Sequence, residues 1–329
     1  TIRTQKTSAS VPLPLPKLVR IPMSMHIGAP CTPLVKPRDT VLVGQKIGDT
    51  DAFMAVPIHS GVSGKVKAVS TYRMSNGRTC PMVEIETDGE QTVSPDVCPP
   101  AVTDKESFLK AVRESGLVGM GGASFPTHVK LNPKQTVDTL VINAAECEPY
   151  ITSDYRQMIE APDEVLDGVR QVLHWLQIPK AVIGIETNKP EAIRVLTEKT
   201  KSEPEIQIFS LPTTYPQGAE KVLIYHTLGR TVMEGQLPAD QGVIVMNVVL
   251  RGIPQPLPEN RHADGAAYGD GGRRCCRQAL QCHGAYGHTG AGRVGFCTVR
   301  YGTGKESALR RSHDGHRCAG HCRPDSESQ

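Results

Sequence analysis

From Ile21 to about Thr87 apolar residues come in short runs cut by Gly, Pro and Asp, at 40–43, 44–48, 54–58, 61–69 and 82–85. Runs of that length with turn residues between them predict a small all-β module of barrel or sandwich type. Ahead of it, an arm through Lys17 is rich in Ser and Pro, and the alternating prolines of 11–16 restrict it to extended geometry, as in a tether. The period changes at Thr103. Thr103-Asp-Lys-Glu106 has capping-box spacing, Phe108, Leu109 and Val112 follow at helical intervals, and Gly116 stands ready to end the helix.

Beyond a glycine loop, strands are predicted at 137–143, 181–186, 205–211 and 242–248. Between them lie a helix with Val165, Leu166, Val169, Val172, Leu173 and Leu176 on one face, another starting at Asn188-Lys-Pro190, and a third over 218–228 stopped by Gly229. Alternation of this kind predicts an α/β domain whose parallel sheet is covered on both faces.

Composition divides the chain near Leu250. Residues 251–329 hold six of the ten Cys, six of the eleven His, 14 of the 31 Gly and eleven Arg against one Lys, but only six Ile, Leu or Val. So little apolar surface does not offset ordering entropy, and a poorly ordered Gly/Arg/Cys/His-rich tail is expected. The formal charge of +3 excludes nucleic acid as the expected partner. No run approaches the ~18 apolar residues of a spanning helix and no apolar signal core follows the first residues, so the chain reads as soluble and unsecreted. The expected division is 1–20 tether, 21–98 barrel-sandwich module, 99–250 α/β domain and 251–329 tail.

Three stretches offer chemistry. Gly119-Met-Gly121-Gly122-Ala-Ser-Phe125-Pro-Thr-His-Val-Lys130 clusters backbone amides that close around an anion, with a lysine to supply a point charge; a glycine-rich connector reads equally well from spacing alone. It follows a helix, unlike the dinucleotide fingerprint, which follows a strand. Asn143-Ala-Ala-Glu146-Cys147-Glu148 lies at the C-terminal end of a predicted parallel strand, where ligands of open α/β sheets bind. Its amide and carboxylates suit hydroxyls and ring N–H groups, or a solvated loop. Cys147 reads as a packed small side chain, since no His is tied to it. Tyr215-Pro-Gln-Gly218-Ala-Glu220-Lys221 opens a helix toward the same edge, and Asn247 ends the last strand there, the layout of one shared cleft.

The glycine loop resembles the flavin loop of the NADH-binding subunit of respiratory complex I. The fuller text of 117–131, with Ala144-Ala-Glu146-Cys-Glu-Pro149-Tyr-x-Thr-Ser-Asp-Tyr-Arg156, resembles the C component of the Rnf-type ion-translocating ferredoxin:NAD oxidoreductase, an electron transport complex. His26-Ile-Gly28-Ala-Pro30 and Pro57-Ile-His59-x-x-Val62-Ser-Gly64 extend the resemblance into the N-terminal module, so that it runs from about Lys17 to Val248.

The resemblance implies a Rossmann-like FMN domain, with FMN held by Gly119, Gly121, Gly122, Lys130, Asn143, Glu146, Gly218, Glu220 and Asn247. It implies nicotinamide dinucleotide, NAD(H), as substrate near Phe125, with Glu148 on its ribose side. The complex I pattern has Asp where this chain has Ala145, so one flavin contact is missing relative to that cousin. The implied role is electron transfer between NAD(H) and ferredoxin or iron–sulfur partners, beside other subunits, peripherally on the cytoplasmic side of the bacterial inner membrane. Flavin chemistry of this kind asks the protein for alignment and tuning, and no catalytic acid or base is assigned.

The chain departs from that pattern after Val248. The family's two Cys-x-x-Cys-x-x-Cys-x-x-x-Cys-Pro runs for 4Fe-4S clusters have no counterpart in Cys275, Cys276, Cys282, Cys297, Cys318 and Cys322. His313, His316, Cys318, His321 and Cys322 lack the two defined pairs of a structural zinc site, so no metal ligand is assigned. A shift of reading frame near Val249 is the hypothesis that accounts for the change; coding DNA with family-like text in another frame would confirm it. Alternatives are a flavin-dependent cobalamin reductase of a microcompartment, an inactive truncated product, and a non-catalytic binding module. The last follows from the likeness of Val43-Gly-Gln-x-Ile47 and 57–64 to biotinyl and lipoyl carriers, which need a lysine at a hairpin tip, whereas Lys65 and Lys67 fall within a predicted strand.

Overall fold

The computed structural model describes residues 9–10, 14–74, 76–120, 124–148, 151–250 and 253, together with the strand residues 288–289, 293–294, 296–299 and 307–310. The N-terminal module comprises β1 (Leu18–Pro22), β2 (Thr32–Pro33), β3 (Thr40–Val41), β4 (Lys46–Asp49), β5 (Ile58–His59), β6 (Gly64–Arg73) and β7 (Thr79–Thr87). They form two antiparallel sheets, β1-β7-β6-β3 and β2-β4-β5. Val19, Ile21, Ile47, Ile58, Val66 and Ile85 fill the space between them. This is the expected barrel sandwich, although pairing already starts at Leu18. Lys65 pairs in register with Glu86, and Lys67 falls at a bulge inside β6, so neither occupies the hairpin tip a carrier lysine needs.

The second domain runs α1 (Lys105–Glu114), α2 (Thr127–Lys130), β8 (Thr139–Ala144), α3 (Ser153–Glu160), α4 (Pro162–Leu176), β9 (Lys180–Glu186), α5 (Pro190–Lys199), β10 (Ile206–Leu211), α6 (Glu220–Leu228), a 3-10 turn (Pro238–Gln241) and β11 (Val243–Asn247). Its strands are parallel in the order β10-β9-β8-β11. Leu140 and Ile142 of β8 face Phe108, Leu166 and Val169, whereas Val141 joins Leu223, Ile224 and Val245 on the opposite face. Burial on both faces explains why these strands read as nearly continuous apolar runs.

Two local expectations shift. The cap of α1 is Asp104, whose carboxylate accepts from the Ser107 amide at 2.8 Å while the Ser107 hydroxyl accepts from the Asp104 amide at 3.0 Å. The box thus falls one position later than Thr103 and Glu106, with an ionised acceptor on the first-turn amide. The short helix α3 has no counterpart among the helices that periodicity predicts, and α6 begins at Glu220 instead of Gly218.

A charge quartet joins the two domains. Lys46 bonds Glu114 at 2.7 Å and Asp49 at 3.0 Å, and Arg113 bonds Asp49 at 3.0 Å and Glu114 at 2.6 Å. Burial alone would raise Asp49 and Glu114, but their cationic partners hold both carboxyls below the usual range. Beside it, the Ile27 amide donates to the Ser124 carbonyl at 3.2 Å, tying a loop of the barrel sandwich to the glycine loop.

After β11 the chain folds back on α4, where Leu250 lies so close to Gly168 that a Cβ there would stand 2.5 Å from the Leu250 Cβ. Further on, β12 (His288–Thr289) pairs with β13 (Arg293–Val294) and β14 (Phe296–Val299) with β15 (Ser307–Arg310), each antiparallel. Apart from these strands and Ile253, the tail for which disorder is expected lies outside the described residues, as do its candidate zinc ligands.

Candidate functional site

The strand order places a topological switch point between β8 and β11, because the connection after β8 leads to one side of it and β11 returns on the other. A crevice opens beyond the strand ends at such a point. Asn143 and Asn247 are register partners at that edge. The Asn143 Nδ2 donates to the Gly218 carbonyl at 2.8 Å, and its Oδ1 accepts from the Ala145 amide at 3.2 Å. The Gly218 amide donates to the Cys147 Sγ at 3.2 Å. A Cβ on Gly218 would lie 3.2 Å from that sulfur and 3.8 Å from the Asn143 amide group, so the close approach favours glycine.

Glu146 adopts φ +48°, a left-handed conformation that costs a non-glycine residue energy. From there its carboxylate accepts from the Asp154 amide at 2.6 Å and the Tyr155 amide at 3.1 Å, capping α3 from outside the helix. Thr152, the N-cap residue, makes no side-chain cap bond. Burial first, then the neighbouring Asp154 charge, pushes the Glu146 carboxyl up to about 7, against the pull of the α3 amides and Lys189. Asn247 donates to the buried Asp154 carboxylate at 2.8 Å, so β11 and the start of α3 are joined through Asp154.

On the other side, Lys130 ends α2 and bonds the Glu220 carboxylate, at the first residue of α6, at 2.8 Å; both side chains are part-exposed. The glycine loop is closed at its base by the Gly119 amide donating to the Phe125 carbonyl at 2.8 Å. Gly121 and Gly122 lie outside the described residues. Phe125 is half-buried, and Glu148 is exposed at the start of the turn after β8.

The structure therefore brings Asn143, Glu146, Gly218 and Asn247 into one hydrogen-bonded edge, and Lys130 with Glu220 into a pair. Three further residues of this edge have no site role assigned from the sequence. Asp154 links Asn247 to the α3 end. Lys189 and Glu186 form a buried ion pair at 2.7 Å, and the Lys189 ammonium also donates to the Ala145 carbonyl at 2.6 Å. The one local signal for Lys189 is its place just before Pro190, which opens α5. Burial raises the Cys147 thiol while the Gly218 amide opposes, which keeps the sulfur protonated rather than nucleophilic.

The donor set suits FMN. The Lys130 ammonium fits a phosphate, and the two asparagines and Glu146 are side chains of the kind that take hydroxyls and ring N–H or C=O groups. Among the described residues no group of three or more His, Cys, Asp or Glu could hold a metal ion, and no helix is long and apolar enough to cross a membrane.

Comparison with known proteins identifies both domains. Residues 112–249 match the Nuo51 FMN-binding domain, and residues 3–90 match the RnfC barrel sandwich hybrid domain. The chain is 45% identical over 252 residues to the C component of the Na(+)-translocating ferredoxin:NAD(+) oxidoreductase complex of Acetobacterium woodii, covering 74% of this chain and 57% of that protein. It is 43% identical over 269 residues to the C component of the proton-translocating ferredoxin:NAD(+) oxidoreductase complex of Clostridium ljungdahlii, covering 76% and 58%. A third relative, the C component of the ion-translocating oxidoreductase complex of Rhodobacter capsulatus, is 38% identical over 243 residues, covering 72% and 47%. The chain thus spans about half the length of the curated relatives it matches.

Proposed function

The chain belongs to the RnfC family of ion-translocating oxidoreductase subunits, and from that premise we propose that its α/β domain binds FMN at the β8–β11 switch point and passes electrons between NAD(H) and iron–sulfur partners. The observation that carries the reading is the convergence of Asn143 and Glu146 at the end of β8, Gly218 before α6 and Asn247 at the end of β11 on one hydrogen-bonded sheet edge. Lys130 offers charge and the amides of Gly121 and Gly122 close on the phosphate, in a loop that Gly119 shapes by its bond to the Phe125 carbonyl. Asn143, Glu146, Gly218, Glu220 and Asn247 orient the polyol and ring. Phe125 and Glu148 receive the nicotinamide dinucleotide, the ring stacking and the carboxylate meeting ribose hydroxyls.

FMN held there supplies hydride acceptance with electron release one at a time. The protein's part is alignment, with α2, α6 and the residues after β8 holding the reacting rings in place. Residues 21–98 are proposed as a barrel-sandwich module, 99–250 as the FMN domain, and 1–20 and 251–329 as its flanking segments. In this reading the chain docks peripherally on the cytoplasmic side of the inner membrane, against other subunits and a ferredoxin or iron–sulfur partner.

The test is anaerobic. Purified chain is mixed with FMN, free flavin is removed, and NADH is titrated in while visible absorption is followed. Retained flavin that bleaches stoichiometrically is expected. A folded chain that retains no flavin overturns the reading.

A further inference from the structure

Lys189 and Glu186 have side chains only 4% and 2% exposed, at the end of β9 and the start of α5. A buried ion pair is expensive to desolvate and contributes little stability over an apolar pair, so its presence beside a binding cleft asks for another reason. All three ammonium protons of Lys189 are spent: on the Glu186 carboxylate at 2.7 Å, the Ala145 carbonyl at 2.6 Å and the Asn188 Oδ1 at 3.2 Å. None remains for a ligand, so Lys189 acts on the cleft through the protein.

The contact with Ala145 shows how. The carbonyl that Lys189 holds belongs to the peptide joining Ala145 to Glu146, and the plane of that peptide sets the Glu146 φ of +48°. The preceding amide, on Ala145, is fixed by the Asn143 Oδ1 at 3.2 Å. Both ends of residue 145 are therefore pinned. The strained turn that follows delivers the Glu146 carboxylate to the α3 amides.

We infer that Lys189, held by Glu186, is a positioning residue for the flavin cleft, clamping the Ala145 carbonyl so that Asn143 and Glu146 present their polar atoms in one fixed arrangement. This rests on the flavin reading of that cleft. Glu146 is faced by the Ser153 hydroxyl, the Asp154 and Tyr155 amides and the Asp154 carboxylate from α3, and by the Lys189 charge from the β9–α5 turn. Loss of the clamp thus changes both the geometry and the proton affinity of Glu146.

Lys189→Met combined with Glu186→Gln removes both charges at similar volume and leaves no uncompensated buried ion. Two readouts are taken on the full chain. The first is FMN affinity from flavin fluorescence quenching. The double variant is expected to keep the wild-type circular dichroism, to melt somewhat lower because the Ala145 carbonyl loses its donor, and to bind FMN about 10-fold or more weakly because Asn143 and Glu146 are no longer held in one arrangement.

The second readout needs no flavin. The carboxylic acid band of Glu146, identified by its loss in Glu146→Gln, is titrated by infrared spectroscopy in the flavin-free chain. Its midpoint is expected to move upward by roughly one pH unit in the double variant. Wild-type FMN affinity together with an unmoved Glu146 band would overturn the clamp. Failure of the wild-type chain itself to bind FMN would overturn the flavin reading and the cleft role that rests on it, and the infrared titration would still show whether Lys189 acts on Glu146. If the double variant does not fold, Lys189→Arg decides: it keeps the charge but not the compact ammonium geometry. Weaker FMN binding at an unchanged thermal midpoint supports the clamp, and wild-type binding overturns it.

Discussion

Glu146 holds its proton far more tightly in the folded chain than an unfolded glutamate does. Its carboxyl is pushed up to about 7 by burial and by Asp154, against an ordinary value of 4.5. Between those two values the folded state binds a proton that the unfolded state has released, so this group's contribution to stability falls as pH rises from about 4.5 to about 7. Chemical denaturation of the flavin-free chain across that window is expected to show the decline in the wild type and its flattening in Glu146→Gln. Glu160 behaves oppositely. Burial would raise it, but the Ser10 amide and hydroxyl, at 2.9 and 2.7 Å, and the Arg156 guanidinium hold it down to about 2. Its contribution is therefore present above about 4.5 and lost as pH falls toward 2. Ser10→Ala removes one donor and is expected to shift the acid-unfolding midpoint, followed by circular dichroism, to higher pH.

At the level of elements, the helix α4 shows packing overruling propensity. Alanine in a helix interior is favoured over glycine by about 1 kcal/mol. At Gly168, however, the new methyl would meet the Leu250 Cβ at 2.5 Å and its carbonyl at 3.2 Å. Gly168→Ala is thus expected to lower stability by about 1–3 kcal/mol in urea titration. The same contrast explains what was legible beforehand. The strands and larger helices follow from apolar periodicity, and the parallel sheet from their alternation. That Asn143, Gly218 and Asn247 share an edge follows from their places at strand ends and before α6. Asp154, Glu186 and Lys189 escaped because periodicity reports which positions are buried, not which buried charges meet. Nor does a local capping rule anticipate α3, whose first amides are held by Glu146 from the preceding turn.

Over the whole molecule, the barrel sandwich and the α/β domain are joined by a quartet of alternating charges and by the Ile27–Ser124 bond at the base of the glycine loop. Arg113 bonds Asp49, Glu114 and the Thr50 carbonyl, so Arg113→Met leaves three acceptors short of a donor. Part-buried pairs of this kind lie between exposed and buried ones in worth, and a loss of about 1–3 kcal/mol is expected. Calorimetry is expected to show one transition for the wild type and two for the variant, the barrel sandwich melting apart from the α/β domain. A single unchanged transition would show that the two domains are coupled elsewhere.

The bonds that complete the candidate cleft close over long stretches of chain: 75 positions between Asn143 and Gly218, and 93 between Asp154 and Asn247. Such non-local closures come late in folding, because loop entropy is spent before they are rewarded. On the ribosome, β8 must wait for β11 to emerge before its second edge is paired and the switch point exists. With FMN at the proposed site, its capture is accordingly a terminal event of synthesis, and a nascent chain halted before residue 247 has most of its hydrophobic core but nowhere to keep the cofactor.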